Sequence, residues 1–214
     1  MKSIVIFGAG RFGSSIASTL TKLGNEVLII DRNPEAIDNI SLNVTTAIVA
    51  DVSDEAVTDQ LGLTNFDIAV VAIGSKIEAS IFATLAAKEA NIPDIYAKAN
   101  SSRHAEILEK LGADHIVFPE YDMGFRLAEL INSDRIIDQV RLSESFSIIE
   151  LVCPQKWVGK NLISLDFRKK YNCNVIAIKR KNEVITPVDP YDNFKENDSI
   201  LLIGRNTDLN KIKD

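Results

Sequence analysis

Apolar runs too short to be helices alternate with segments of helical spacing along roughly the first 120 residues. The runs Ser3 to Phe7, Glu26 to Ile30, Thr45 to Val49, Asp67 to Ile73, Asp94 to Ala97 and His115 to Phe118 predict six strands. Between them, Arg11 to Leu23, Pro34 to Ile40, Glu55 to Leu61, Ile77 to Ala90 and Arg103 to Leu111 predict helices, with Ile77, Ile81 and Leu85 on one face of the fourth. Pro34 suits a first helical turn and Gly24 a C-terminal cap. Strands apolar on both faces, each followed by a helix, imply a parallel sheet covered on both sides. The fold class expected is therefore α/β, a doubly wound Rossmann-type sheet.

The pattern changes after Pro119. Met123, Leu127, Leu130 and Ile131 mark an amphipathic helix that runs to a break around Asn132, Ser133 and Asp134. From Phe146 onward strands dominate: Phe146 to Val152, Asn174 to Ile178, Glu183 to Pro187 and Ser199 to Ile203, with helices near Leu162 to Lys170 and Asp208 to Ile212. This half reads as a small α+β module whose limited core would gain from pairing with another copy or packing on its neighbour. The organisation expected is a domain over residues 1–121, a crossover helix and linker over 122–139, and a C-terminal subdomain over 140–214. No internal repeat or low-complexity segment interrupts it.

Composition narrows the function classes. A chain of 214 residues that is 46% hydrophobic and 25% charged is an ordinary globular protein. With 24 basic against 30 acidic residues and a net charge of −6, nucleic acid is not expected as the main partner. Apolar runs such as Ile68 to Ile73 fall far short of the ~20 residues that span a bilayer, so no transmembrane segment is expected. The start MKSIVIFGAGR imitates a signal peptide, but Gly8 and Gly10 interrupt its apolar run and Arg11 closes it, which reads as mature cytosolic structure. Cys153 and Cys173 lie apart from each other and from any ligand cluster, and are expected to be reduced and buried.

The sharpest motif follows the first strand: Gly8-Ala9-Gly10-Arg11-Phe12-Gly13, a G-x-G-x-x-G run that opens a helix. In such a turn the first glycine allows the sharp bend, the second lets phosphates approach the backbone, and the third lets helix pack on strand. Free N–H groups and the positive helix end then face an anion. Asp31 ends the second strand, where a carboxylate accepts hydrogen bonds from ribose hydroxyls and disfavours a 2′-phosphate; Arg32, next to it, would soften that exclusion or stand solvated. Further contacts are expected from the C-terminal ends of the strands: Ala50, Asp51 and Val52 after the third, Ile73, Gly74 and Ser75 after the fourth, and Lys98 after the fifth. Asp51 suits a ligand contact and the cap of a following helix equally well, and Lys98 suits a phosphate better than a carboxylate. Neither His104, in a surface-like helical pattern, nor His115, at a strand start, has a carboxylate at triad-like or metal-like spacing. A nucleotide site without catalytic equipment points to sensing rather than to an enzyme.

The residues GAGRFGSSIA, the strand end at Asp31, VVAIGSKIEAS, AKANSS and above all GADHIVFPEYDMGFRLAELI resemble the regulator of potassium conductance (RCK) domain of the Ktr and Trk potassium-uptake systems, most of all the KtrA/KtrC-like cytosolic regulatory type. LISLDFRKKYNCNVIAIKR resembles the companion C-terminal subdomain, so the resemblance covers essentially the whole chain. One departure is Ala50 before Asp51, where the family often has glycine, which bears on how closely the backbone approaches a ligand there.

The resemblance implies homodimers assembled into an octameric ring, docked through a potassium-translocating membrane subunit on the inner face of the membrane, that changes shape between ATP and ADP, with NAD(H) as an alternative ligand. It implies that Arg11 reads the terminal phosphate and that Glu120 helps hold Mg²⁺ or Ca²⁺; a carboxylate at a helix N-terminus is the rival role for Glu120. It also implies cyclic di-AMP between two C-terminal subdomains. Leu162, Ile163, Val175 and Ile176 would line that groove, Arg168 pair with phosphate, Asn174 read an adenine edge or phosphate oxygen, and Pro187 close a strand beside them; the alternative is a plain dimer core. The other readings are a small NAD(H)-dependent oxidoreductase, a DNA-binding redox repressor, and a nucleotide-binding module of another transporter.

Overall fold

The computed structural model describes residues 1–54, 59–74, 76–132, 135–181 and 183–213. It divides into two units, Met1–Glu120 and Tyr121–Asp214.

In the first unit six strands form one parallel sheet: β1 (Ser3–Phe7), β2 (Glu26–Asp31), β3 (Thr46–Val49), β4 (Ile68–Val71), β5 (Asp94–Lys98) and β6 (His115–Val117). Their spatial order is β3-β2-β1-β4-β5-β6, the doubly wound arrangement that the alternation of apolar runs and helical segments predicts. The helices are α1 (Arg11–Lys22), α2 (Pro34–Ile40), α3 (Ile77–Glu89), α4 (Ser102–Lys110) and the start of α5 (Pro119–Ile131). The expected helix over Glu55 to Leu61 falls largely outside the described residues, of which Asp59–Leu61 form a 3₁₀ turn.

Strand periodicity builds the core. Along β1, Ile4 and Ile6 pack to one side with Ala17 of α1 and Ile37 of α2, while Val5 and Phe7 pack to the other with Ala83 and Ala87 of α3 and Leu108 of α4. Full burial of each such large side chain contributes about 1.5–3 kcal/mol. Helix ends follow local chemistry: the Asn33 side chain accepts from the Glu35 amide ahead of Pro34 at the first turn of α2. Gly24 takes the left-handed φ of +84° just past α1.

The second unit holds a five-stranded antiparallel sheet, in the order β10-β9-β11-β8-β7. Its strands are β7 (Ile136–Arg141), β8 (Phe146–Val152), β9 (Cys173–Arg180), β10 (Glu183–Ile185) and β11 (Ser199–Arg205). Ile149, Leu151, Ile178, Ile200 and Leu202 pack from it on Trp157, Phe167 and Phe194, closed by Leu209 and Ile212 of α7 (Asn206–Lys213). Trp157 Nε1 donates to the Tyr171 hydroxyl at 2.8 Å, which satisfies the one polar atom of a fully buried indole. Cys153 and Cys173 are free and buried, and burial pushes each thiol up to about 11.

Two expectations need correction here. The helix near Leu162 to Lys170 shrinks to α6 (Phe167–Tyr171). Asn161 and Ser164 bond each other's backbone N–H groups at 2.8 and 3.0 Å, and Asp166 has a left-handed φ of +45°, so the chain turns before the helix starts. Strand β7 has no counterpart in the sequence reading. Its register slips against β8 between Ile136 and Asp138, which removes the strict alternation that would have marked it.

Candidate nucleotide site

The sheet order reverses between β1 and β4, and the chain segments that leave these two strands form the floor of a cleft. Gly8, directly after β1, has φ +106°, which only glycine adopts readily, and its amide donates to Ile30 O at 2.7 Å. Gly13 faces the same turn from α1; a Cβ there would stand 1.9 Å from Gly8 O, so helix and turn approach as closely as the backbone allows. Gly10 differs from both. It is the N-cap of α1 at φ −70° and a Cβ would meet no protein atom within 4 Å, so the space beside it is open, as a phosphate would need.

Asp31 ends β2 with both carboxylate oxygens engaged by backbone: Oδ2 accepts from Ala9 N at 2.7 Å and Oδ1 from Asn33 N at 2.8 Å. The first of these bonds ties the carboxylate to the glycine turn itself, and a carboxylate has lone pairs left for a ribose. A cleft opens beside it, with Gly8, Asp31, Arg32, Asp51, Val52 and Ile73 among its walls. Lys76 and Ala79, from the end of the β4–α3 loop and the first turns of α3, also line it. The sequence reading did not include them; the basic residue following Gly74 and the next one was the available signal. Ser75 lies outside the described residues.

Asp51 accepts from Ser53 N at 3.0 Å, and that bond is the largest of the causes holding its carboxyl below the usual carboxylate range. It therefore caps its own turn while lining the cleft.

Past Gly74 the rim becomes cationic. Lys98, at the end of β5, is buried and passes Gly74 so closely that a Cβ there would stand 3.0 Å from its Nζ. Its Nζ lies 5.7 Å above the Phe12 ring and 2.5 Å from Glu120 Oε1. Glu120, in the first turn of α5, is held below the ordinary carboxyl range first by that hydrogen bond, with the charges of Lys98 and Arg11 adding to it. The ends of β1, β4 and β5 and the first turns of α1 and α5 thus place Arg11, Phe12, Gly74, Lys98 and Glu120 together.

The TrkA-N domain family matches residues 4–119 and the TrkA-C domain family residues 146–214. Ktr system potassium uptake protein C of Bacillus subtilis is 39% identical over 212 residues, with 99% of this chain and 96% of that protein covered. Protein A of the same system and organism is 36% identical over the same length and coverage. The chain belongs to the KtrA/KtrC-like RCK family of potassium-uptake proteins. Among solved structures the GsuK channel has the same fold with a TM-score of 0.68 at 16% identity; the alignment takes in 99% of this chain and 39% of the channel chain.

In this Ktr-type chain the second unit carries an open groove walled by Leu162, Ile163, Asp166, Phe167, Arg168, Val175 and Pro190. Ile176 follows Val175 on β9 as the extra residue where Leu201 pairs with Ala177 and Leu202 with Val175, and it is not among the residues that wall the groove. Asn174 and Pro187 are exposed and outside it; Pro190 stands where Pro187 was expected.

Both histidines have partners that sequence spacing hid. His115 Nε2 lies 2.9 Å from Asp94 Oδ1 across the β5–β6 pair. His104, expected on a surface, is 2% exposed and hydrogen-bonded through both ring nitrogens. Among the described residues no group of three or more His, Cys, Asp or Glu is placed to hold a metal ion. Glu120 is a single carboxylate bonded to Lys98, so a divalent cation there would need ligands beyond those the described residues of one chain place around it. No helix among the described residues is long and apolar enough to cross a membrane.

Proposed function

We propose that this chain is the nucleotide-sensing regulatory subunit of a Ktr-type potassium-uptake system, and that the difference between ATP and ADP is what it reads. The observation that carries the reading is the glycine turn: a helix N-terminus with unfilled space beside Gly10, tied by Ala9 N to the carboxylate of Asp31. The adenosine ribose bonds Asp31, the phosphates lie along the N–H groups of α1, and the base occupies the cleft walled by Val52 and Ile73. The terminal phosphate, which ADP lacks, meets Arg11 and Lys98 and competes with Glu120 for the ammonium. NAD(H) is an alternative occupant through its shared adenosine diphosphate.

Glu120 belongs to the helix through which the chain passes from one unit to the other, so release of its ion pair is the step that links phosphate to a change of shape. That change acts on a potassium-translocating membrane subunit from the cytoplasmic side. It does so through an octameric ring of dimers whose conformations bind ATP and ADP unequally. Cyclic di-AMP in the groove of the second unit, between two copies, biases the same equilibrium.

Calorimetric titration of the full chain with ATP, ADP and NADH tests the nucleotide reading. ATP and ADP are expected to compete for one site, and Asp31→Ala to weaken both about tenfold or more through lost hydrogen bonds to a charged acceptor. Unchanged affinity in that variant would overturn the assignment. Arg11→Ala is expected to shrink the difference between the ATP and ADP states in small-angle scattering while leaving adenosine binding in place.

A further inference from the structure

Three polar side chains lie in the interior behind the cleft wall: Ser80 and Thr84 of α3 are fully buried and His104 of α4 is 2% exposed. Burying such groups is unfavourable unless each is hydrogen-bonded, and a fully bonded set fixes one arrangement of the elements that carry it. Here every one is bonded. Thr84 donates to Ser80 O at 2.8 Å, and the Ser80 hydroxyl lies 2.8 Å from His104 Nε2 and 2.7 Å from Ile77 O. His104 Nδ1 lies 3.0 Å from Asn100 Oδ1, and Asn100 Nδ2 donates to Gly74 O at 3.1 Å. Because the Asn100 NH₂ is committed to Gly74, its oxygen faces the ring; with the hydrogen on Nδ1, the Ser80 hydroxyl gives its one hydrogen either to Nε2 or to Ile77 O. The main chain of His104 is fixed as well, its amide donating to the Ser101 hydroxyl that caps α4.

The chain of bonds ends on the carbonyl of Gly74. That residue follows Ile73, a wall of the cleft, and stands close against the Lys98 side chain, where a Cβ would lie 3.0 Å from Nζ. We propose that His104, through Asn100, is a positioning residue of the nucleotide cleft, holding the Gly74 carbonyl so that the Ile73 wall and the path of Lys98 keep their binding geometry. This rests on the nucleotide reading above. An apolar residue would fill the same interior without reaching the loop, whereas imidazole spans from Ser80 to Asn100. Burial pushes the pKa of His104 down and keeps the ring neutral near neutral pH, with one N–H to give.

The two ring nitrogens allow a test that separates positioning from mere stability. In the full chain, His104→Asn keeps a donor where Nδ1 stands and loses the Ser80 contact; His104→Gln reaches Ser80 and loses the bond to Asn100. Asn100→Ala, at an exposed position, removes the grip on Gly74 and with it the Nδ1 partner of His104, while the Ser80 contact stays. Amide hydrogen exchange over Ala72 to Ser80 without nucleotide, and calorimetric ATP affinity, are the two readouts. His104→Gln and Asn100→Ala are expected to exchange faster there and to bind ATP about fivefold or more weakly, while His104→Asn stays near wild type in both. Equal losses in the Asn and Gln variants, or no effect of Asn100→Ala on either readout, would overturn the role. Failure of the wild type to bind ATP would overturn the nucleotide reading and this role with it, so the two failures are distinct.

Discussion

The Lys98 ammonium, buried at the end of β5, donates at 2.5 Å to Glu120, whose own side chain is 73% exposed at the start of α5. The acceptor is thus free to leave into solvent while the donor is not, and any anion entering the rim finds the cation already in place. An ion pair with one exposed partner contributes about 0.5–1 kcal/mol, so the carboxylate is a competitor of modest strength. Glu120→Gln is expected to tighten ATP by about two- to fivefold, and Lys98→Met to weaken it. The pH sign follows from the depressed carboxyl of Glu120: the competition is complete at neutral pH and fades as pH falls through its lowered pKa. Calorimetry on both variants, with tighter binding absent in Glu120→Gln, would count against competition.

Gly10 and Gly13 should separate binding from stability. Gly13→Ala places a Cβ 1.9 Å from Gly8 O, a clash with backbone that cannot relax locally, and is expected to lower the melting temperature by several degrees or more. Gly10→Ala meets nothing in the protein at a φ of −70° that alanine adopts, so the fold should persist with nearly unchanged melting. Its nucleotide affinity should fall about tenfold or more as the methyl enters the phosphate space. Equal affinity in Gly10→Ala would place the phosphates elsewhere.

Arg180 and Asp198 govern the acid stability of the second unit. Burial raises the Asp198 carboxyl, but the paired hydrogen bonds from Arg180 Nε and Nη2, both 2.9 Å, together with the Lys195 amide, bring it below the ordinary value. Asp192 holds the third guanidinium nitrogen at 3.0 Å. A depressed carboxyl stabilises the fold above its unfolded pKa, and that contribution is lost as pH falls through the folded value, so wild-type melting should decline below about pH 4. Arg180→Met strands a buried carboxylate at neutral pH and is expected to destabilise by about 3–5 kcal/mol, with the loss smaller in acid as Asp198 protonates. Urea unfolding at pH 7 and pH 4 checks both; a loss independent of pH would argue against the pairing.

What was legible in the sequence was local in the chain or periodic. Gly8, Gly10, Gly13 and Asp31 stand at spacings that a strand, turn, helix and second strand impose, so the turn and its carboxylate were readable, as were the six strands of the first sheet. The pairing of Lys98 with Glu120 bridges 22 positions and exists only because β6 aligns beside β5, which no spacing encodes. His104 looked exposed because α4 is strongly amphipathic, yet its third residue turns inward to partners on α3 and the preceding loop. In the second unit Leu162, Ile163, Arg168 and Val175 wall one groove of the single chain, and Asn174, Ile176 and Pro187, expected beside them, are not among its walls. The irregular pairing of β9 at Ile176 and the turn at Asp189 to Pro190 are features that no spacing in the sequence encodes.

That groove leads to the last prediction. Leu162, Ile163 and Val175 make it apolar, Phe167 adds an aromatic wall, and Arg168 sets a guanidinium at its edge. A flat purine would stack on the apolar side while a phosphate takes the fork of Arg168, and a two-fold symmetric dinucleotide would meet the same contacts from a second copy. Arg168→Ala is expected to weaken cyclic di-AMP about tenfold or more, the loss of a charge-assisted pair, whereas Asn174→Ala, exposed and outside the wall, should change it little. Pro190→Ala should lie between them, since it removes wall without removing charge. Thermal shift and calorimetry on the full chain decide it: if Arg168→Ala binds like wild type, or Asn174→Ala loses as much, the ligand does not lie in this groove.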